Sequence, residues 1–152
     1  MSSNKKVLSD MQEIITELSQ QAIAHEMHAR IFISQGFSKL GEKYLKHAKE
    51  EREYVGKFID RLLDLEYKIK NEVKKESLIY YDIVEFLKYD LQVSIDGLNW
   101  LKSIVDESVN DYKTFDLLKD YYQDEEEDKN WIQQQLELIE KIGLQNWLCT
   151  QV

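Results

Sequence analysis

The chain has 152 residues with 29 acidic against 20 basic side chains, a formal net charge of −9, no proline and only five glycines. That length suits one domain, residues 1–152, with a core of its own, and abundant Glu, Lys, Leu, Ile and Gln without proline favour long helices over turn-rich sheet, so an all-α fold is expected. With no stripe of Lys or Arg to follow a phosphate backbone, nucleic acid is excluded as a partner; no apolar run approaches the roughly 20 residues of a membrane span.

The polar start Met1-Ser2-Ser3-Asn4-Lys5-Lys6 lacks the apolar stretch of a signal peptide, which points to a cytoplasmic protein. The first segment, residues 4–35, places Leu8, Met11, Ile15, Leu18, Ala22, His25, Ala29 and Phe32 at alternating steps of three and four, the spacing of one buried helix stripe, and Gly36 is its stop signal. A second stripe over 38–66 runs Leu40, Tyr44, His47, Glu51, Tyr54, Phe58, Leu62 and Leu65. The Lys- and Glu-rich stretch 68–76 has no apolar face and is long enough to carry the chain along the bundle as a crossover. A third helix, expected over 78–107, presents Ile83, Leu87, Asp90, Ser94, Gly97, Leu101 and Ile104. A fourth begins after Asn110 and Asp111, either of which can cap it, and continues through Leu118, Tyr121, Glu125, Asp128, Ile132, Leu136 and Ile139 to a break at Gly143.

Residues 144–152, with Trp147, are too apolar for a frayed tail. They predict a short fifth helix, and because the bundle's inner face is already filled by four stripes, the surface expected to receive it is another subunit. The single Cys149 allows no internal disulfide, fits a reducing compartment and is expected to be a small packing residue. Two short connections around one long crossover pair the first helix with the second and the third with the fourth, the topology of ferritin-like bundles.

Aligned by their stripes, the helices bring Leu18, Glu51, Tyr54, Ser94, Glu125 and Asp128 to one layer, with His25 and His47 two turns and one turn away. A buried, unpaired carboxylate costs several kcal/mol, so these acids must bind metal, carry protons or have donors. Three readings follow from the residues: a metal site of facing carboxylates, a hydrogen-bonded polar core, or a misphased stripe whose acids face solvent. His25 is read first as a core residue bonded to a neighbour and second as a substitute ligand. His47 and Glu51, one turn apart, suit a metal site or a charge-assisted hydrogen bond. In a metal-free core, Glu51, Glu125 or Asp128 is expected to titrate above its ordinary range.

The segments His28-Ala29-Arg30, Gly36 to Glu66, Asp90-Leu91, Asp96-Gly97 and above all Trp131 to Trp147 with Lys141-Ile-Gly-Leu-Gln-Asn146 resemble the bacterioferritins over nearly the whole chain. The resemblance implies a homo-oligomeric cage of twenty-four subunits that oxidises ferrous iron at a paired-iron ferroxidase centre inside each bundle, stores the ferric mineral, and binds haem between paired subunits through a methionine. The implied centre takes a Glu from helix one, Glu-x-x-His from helix two, a Glu from helix three and Glu-x-x-His from helix four. Here Glu51 and Glu125 stand at the two bridging positions, while Leu18, Tyr54, Ser94 and Asp128 stand at the others. Glu17 is beside Leu18 but about 100° away around the helix, and reaches the centre only through a bulge.

The surviving candidate metal ligands are Glu51, Glu125, Asp128 and Tyr54, with Glu17, His25 and His47 as further candidates; an oxygen-rich set suits Mg, Mn or Ca as well as iron. Arg52 occupies the haem-methionine position, so haem is not expected. The implied function is an iron-storage cage subunit whose oxidation site is altered or lost, with a second ferritin subunit type in a mixed cage as one source of the missing activity. The alternative is a ferritin-like bundle that has left iron chemistry for a structural role. No Gly-rich phosphate loop or Ser or Cys nucleophile motif supports transferase or hydrolase chemistry.

Overall fold

Steps of three and four between apolar residues wind into the helices expected of them. The structure, a computed structural model, describes residues 2–152, with side chains from Lys5 onward; Met1, with which the polar start of the sequence begins, lies outside the described residues. Four long helices, α1 (Ser2–Ser34), α2 (Ser38–Asp64), α3 (Ile83–Glu107) and α4 (Tyr112–Ile142), are followed by a short α5 (Leu144–Cys149). Gly36 and Gly143 take positive φ, 97° and 84°, and end α1 and α4, a backbone region that side chains with a Cβ avoid.

The ends of the helices are tied by specific side chains. Asp111 caps α4 by accepting from the Thr114 N–H, and the same carboxylate receives Arg61 Nη2 of α2 at 2.9 Å, which joins the end of α2 to the start of α4. Lys6 near the start of α1 lies 3.3 Å from Glu107 at the end of α3. Thus α1 runs antiparallel to α2 and α3, and parallel to α4. The α1–α2 pair is close at Gly41, where a Cβ would lie 2.3 Å from Ile33 Cγ1 and 2.7 Å from the Ala29 carbonyl oxygen.

The crossover, residues 65–82, is non-helical and lies along one face of α1. Gln12 bonds the Lys70 backbone in both directions, N–H to Oε1 at 2.8 Å and Nε2 to the carbonyl at 2.9 Å; Thr16 donates to Glu72, Gln20 to the Lys75 carbonyl, and Gln35 to the Tyr81 carbonyl. His28 Nδ1–H donates to the Ala24 carbonyl, which leaves Nε2 to accept the Tyr80 N–H at 2.9 Å. These bonds explain why α3 begins at Ile83 and not at 78, as the apolar pattern predicts. The backbone of Tyr80 and Tyr81 is bound to α1, and Asp82, accepting from the Glu85 N–H, opens the helix beyond it.

Two apolar clusters fill the bundle. One, near the start of α1, includes Met11, Ile14, Leu18, Phe58, Leu62, Leu101 and Leu118; the other, at the far end, includes Ala29, Phe32, Leu40, Tyr44, Phe86, Ile132 and Trp147. Polar side chains lie between them.

The fifth helix departs from expectation. Trp147 is fully buried in its own chain, its Nε1 donates to Gln135 of α4 at 2.9 Å, and the Gln151 carbonyl accepts the Lys39 and Leu40 N–H groups at the start of α2. Trp147 needs no other subunit to cover it, because it joins the apolar cluster of Phe32, Leu40, Tyr44 and Ile132, and the first turn of α2, with Phe37 giving no side-chain cap, needs acceptors. Cys149 is exposed and not a packing residue, since Trp147 and Leu148 take the inward side of that turn. Trp147→Ala is therefore expected to lower the stability of the chain by about 3–5 kcal/mol, read as a lower urea midpoint by far-UV circular dichroism; an unchanged midpoint would show that α5 does not hold the bundle.

Candidate metal centre

Between the two apolar clusters, α1, α2, α3 and α4 direct His25, Glu51, Asp90 and Glu125 into the bundle, all of them buried. His25 Nδ1 is 2.6 Å from Glu51 Oε1 and His25 Nε2 is 2.8 Å from Asp90 Oδ1. A neutral imidazole has one N–H and one lone pair, so it could not donate to both carboxylates; two short contacts of this kind require the imidazolium or a protonated acid. Tyr44 OH completes the chain by donating to Asp90 Oδ2 at 3.0 Å.

The charges follow from this geometry. Burial disfavours the His25 cation, yet the Glu51 and Asp90 carboxylates outweigh it and hold the imidazole well above the ordinary histidine range. Burial also opposes ionisation of Asp90, but His25 and the Tyr44 hydroxyl more than offset it and keep the acid below its usual range. Glu51 is pushed up by burial, with His25 acting against the shift.

Toward α4 the balance is different. Asp124, Glu125 and Asp128 can each present a carboxylate oxygen with all three atoms within 4.8 Å of one another. Burial, then the charges of Glu51 and Asp128, push Glu125 well up; burial, then Asp124 and Glu51, push Asp128 up to about 8. His47 Nε2 is 3.4 Å from Asp128 Oδ1 without a hydrogen bond, and burial together with the His25 charge lowers this histidine to about 3. A neutral imidazole thus faces an acid that retains its proton near neutral pH.

A five-helix all-α chain with carboxylates from several helices at mid-bundle has counterparts among known proteins. The ferritin-like domain matches residues 8–142. The chain belongs to the ferritin-like family. Similar proteins include the bacterial ferritins of Neisseria meningitidis serogroup B and Neisseria gonorrhoeae, each 33% identical over the full length of both chains, and that of Synechocystis sp., 30% identical over all of this chain and 99% of its own. The family is one of iron-storage proteins, and none of this chain's helices is long and apolar enough to cross a membrane among the described residues.

Within this ferritin-like bundle the sequence-predicted residues separate. Glu51, Glu125, Asp128, His25 and His47 share the central layer, and the acidic run divides by face: Glu125 is buried and Asp124 and Asp128 half-buried, while Glu126 and Glu127 are exposed. The solvent-facing alternative therefore fails for Glu51 and Glu125. The expected His47–Glu51 pair does not form, because Glu51 turns to His25 across the bundle and His47 to Asp128. Tyr54 packs its ring on Phe58 and Tyr121, with Lys57 over its face, and burial followed by the Asp124 charge pushes its phenol to about 12. Leu18 is buried in the neighbouring apolar cluster. Glu17 is exposed on an unbroken α1, so the bulge that would turn it inward is not there; it lines an open groove between α1 and α3 whose floor includes Glu125. Arg52 is ion-paired with Glu26 on the surface.

Asp90 and Tyr44 are the residues sequence reasoning missed as site members. Each sits on an inward stripe, and a buried acid on α3 was itself a signal that a donor must face it; which donor depends on how the helices are set against one another.

The pH dependence has a definite sign between pH 6.5 and about 8. His25, Glu125 and Asp128 all hold protons more tightly folded than unfolded, so their stabilisation is present at lower pH and is lost as pH rises through their folded values. His47, lowered to about 3, acts oppositely only below its unfolded value of 6.5. With a chelator present, the melting temperature is expected to fall from pH 6.5 to about 8, and Asp128→Asn, which keeps the neutral form, should flatten that fall; a melting temperature rising over this interval would contradict the assignment.

Proposed function

We propose that this chain is the subunit of a cytoplasmic iron-storage cage, a homo-oligomer of twenty-four copies, in which the paired-iron oxidation centre has been given up for a proton-charged polar core. The observation that carries this is His25 set between Glu51 and Asp90 at 2.6 and 2.8 Å, an internal cation at the layer where iron would have to supply positive charge. Bundles that hold two irons use a Glu from each of two helices and Glu-x-x-His from each of the other two. Here the second pattern reads Glu51-x-x-Tyr54 and Glu125-x-x-Asp128, and the remaining helices supply Leu18 and Ser94.

These residues do not fit a pair of iron ions. Leucine offers no lone pair, serine is a weak ligand, and Tyr54 is held protonated and packed among aromatic rings. The Glu51 oxygen engaged by His25 is committed to a hydrogen bond, and an ammonium-like charge beside an incoming cation repels it. Oxidation of the stored iron then falls to slow chemistry at surface carboxylates, which the net charge of −9 makes plentiful, or to a second, active subunit type in a mixed cage. Haem has no place in the same scheme, since Arg52 stands where the methionine ligand would and is paired with Glu26.

The test is anaerobic ferrous titration of the purified protein followed by exposure to oxygen, with the ferric absorbance recorded. The expected outcome is no rapid oxidation phase of two irons per chain. A fast phase of that stoichiometry would mean that the substituted residues rebuild a working centre.

A further inference from the structure

Of the chain's three histidines, His25 and His47 belong to the central layer and His28 does not. The His28 ring is buried and stacked on Phe86 of α3, 4.2 Å between centroids, with the Tyr80 ring of the crossover 6.4 Å away. Its Nδ1–H donates to the Ala24 carbonyl at 2.7 Å, and that bond fixes the tautomer: Nε2 carries the lone pair and accepts the Tyr80 N–H at 2.9 Å. A backbone N–H can only donate. A proton added at Nε2 therefore turns this contact into two facing donors, and the ring is kept from turning aside by the Ala24 bond and the Phe86 stack. The other side-chain bonds that hold residues 75–81 to α1, from Gln20 to the Lys75 carbonyl and from Gln35 to the Tyr81 carbonyl, are exposed, where water competes for both partners. The sheltered tie on this stretch, among the described residues, is His28 to Tyr80. Just before it, Ser77 and Leu78 wall a cavity of about 230 Å3 whose other walls include His25 and Asp90.

We propose that His28 is an acid-released latch: when Nε2 takes up a proton, residues 77–82 of the crossover detach from α1 and the cavity beside His25 and Asp90 opens to solvent. This device works whether or not the paired-iron centre is lost. The groups that face the ring set its direction. Burial lowers its proton affinity, the Ala24 bond acts against that, and of the charges nearby His25 on α1 lowers it and Asp90 on α3 raises it; the balance leaves His28 below the ordinary histidine range. Glu17 and Tyr89 are the other titratable groups on the same cavity. A lowered folded value means that the neutral, latched form is fully favoured above the ordinary value of 6.5 and that its contribution is lost as pH falls below 6.5.

The experiment is hydrogen–deuterium exchange by mass spectrometry on the assembled protein, with a chelator present, at about pH 7.5 and about pH 5.5, each rate corrected for the intrinsic pH dependence of amide exchange. The expected result is that residues 77–82 lose protection by roughly tenfold or more at the lower pH while the middles of α1 to α4 keep theirs. His28→Gln has no proton to take up and should show equal protection of this stretch at both values. Tyr80→Pro deletes the donor from the crossover side of the contact and should abolish the pH difference in the same way, so the test does not depend on a buried substitution folding. Unchanged protection of residues 77–82 in the parent chain, a loss shared equally by all the helices, or a pH difference that persists in the variants would each overturn the latch. None of these outcomes touches the proposed function, which the ferrous titration decides.

Discussion

The ion pair network of His25 with Glu51 and Asp90 is the constraint around which the middle of this bundle is built. Removing two carboxylates from water is unfavourable by several kcal/mol each unless a positive group and hydrogen bonds accompany them. His25 supplies both, through two ring nitrogens aimed at two helices, and Tyr44 occupies the remaining Asp90 oxygen. Loss of the imidazole would leave α2 and α3 each with an uncompensated buried acid, so one side chain of α1 determines whether the other helices can keep theirs.

The network divides the interior into two electrostatic compartments. On the α1–α3 side, charge is balanced by the protein itself. Along α4, Glu125 and Asp128 face Glu51 with no comparable cation and respond by keeping protons well above the carboxylate range. His47 cannot help them as a cation, since burial and the His25 charge keep it neutral. The same bundle therefore has a satisfied half and a half that holds protons on its acids. In this member of the ferritin-like family, that asymmetry separates the α1–α3 side of the central layer from the α4 side.

The remaining structure supports this core from outside. The crossover is laid along α1 by Gln12, Thr16, Gln20, His28 and Gln35, so the helix that carries His25 is held along much of its length. At the far end, Trp147 closes the apolar cluster beneath Tyr44, the tyrosine that bonds Asp90. Packing there and polarity at mid-bundle are thus coupled through a single side chain.

The sequence by itself determined the helices, their inward stripes, the long crossover and the presence of Glu51, Glu125 and Asp128 on those stripes, because a period of 3.6 residues is a local property of the chain. It also determined that Leu18 has no lone pair to offer a metal and that Ser94 is a poor iron ligand, since that depends on side-chain chemistry alone. Partners were another matter. That His25 reaches Asp90, sixty-five residues away, that Glu51 turns from His47 toward His25, and that Trp147 folds back onto its own bundle depend on helix rotation and axial offset, which no periodicity encodes. Only the tertiary structure decided them, through the requirement that each buried donor and acceptor find a complement across the helices.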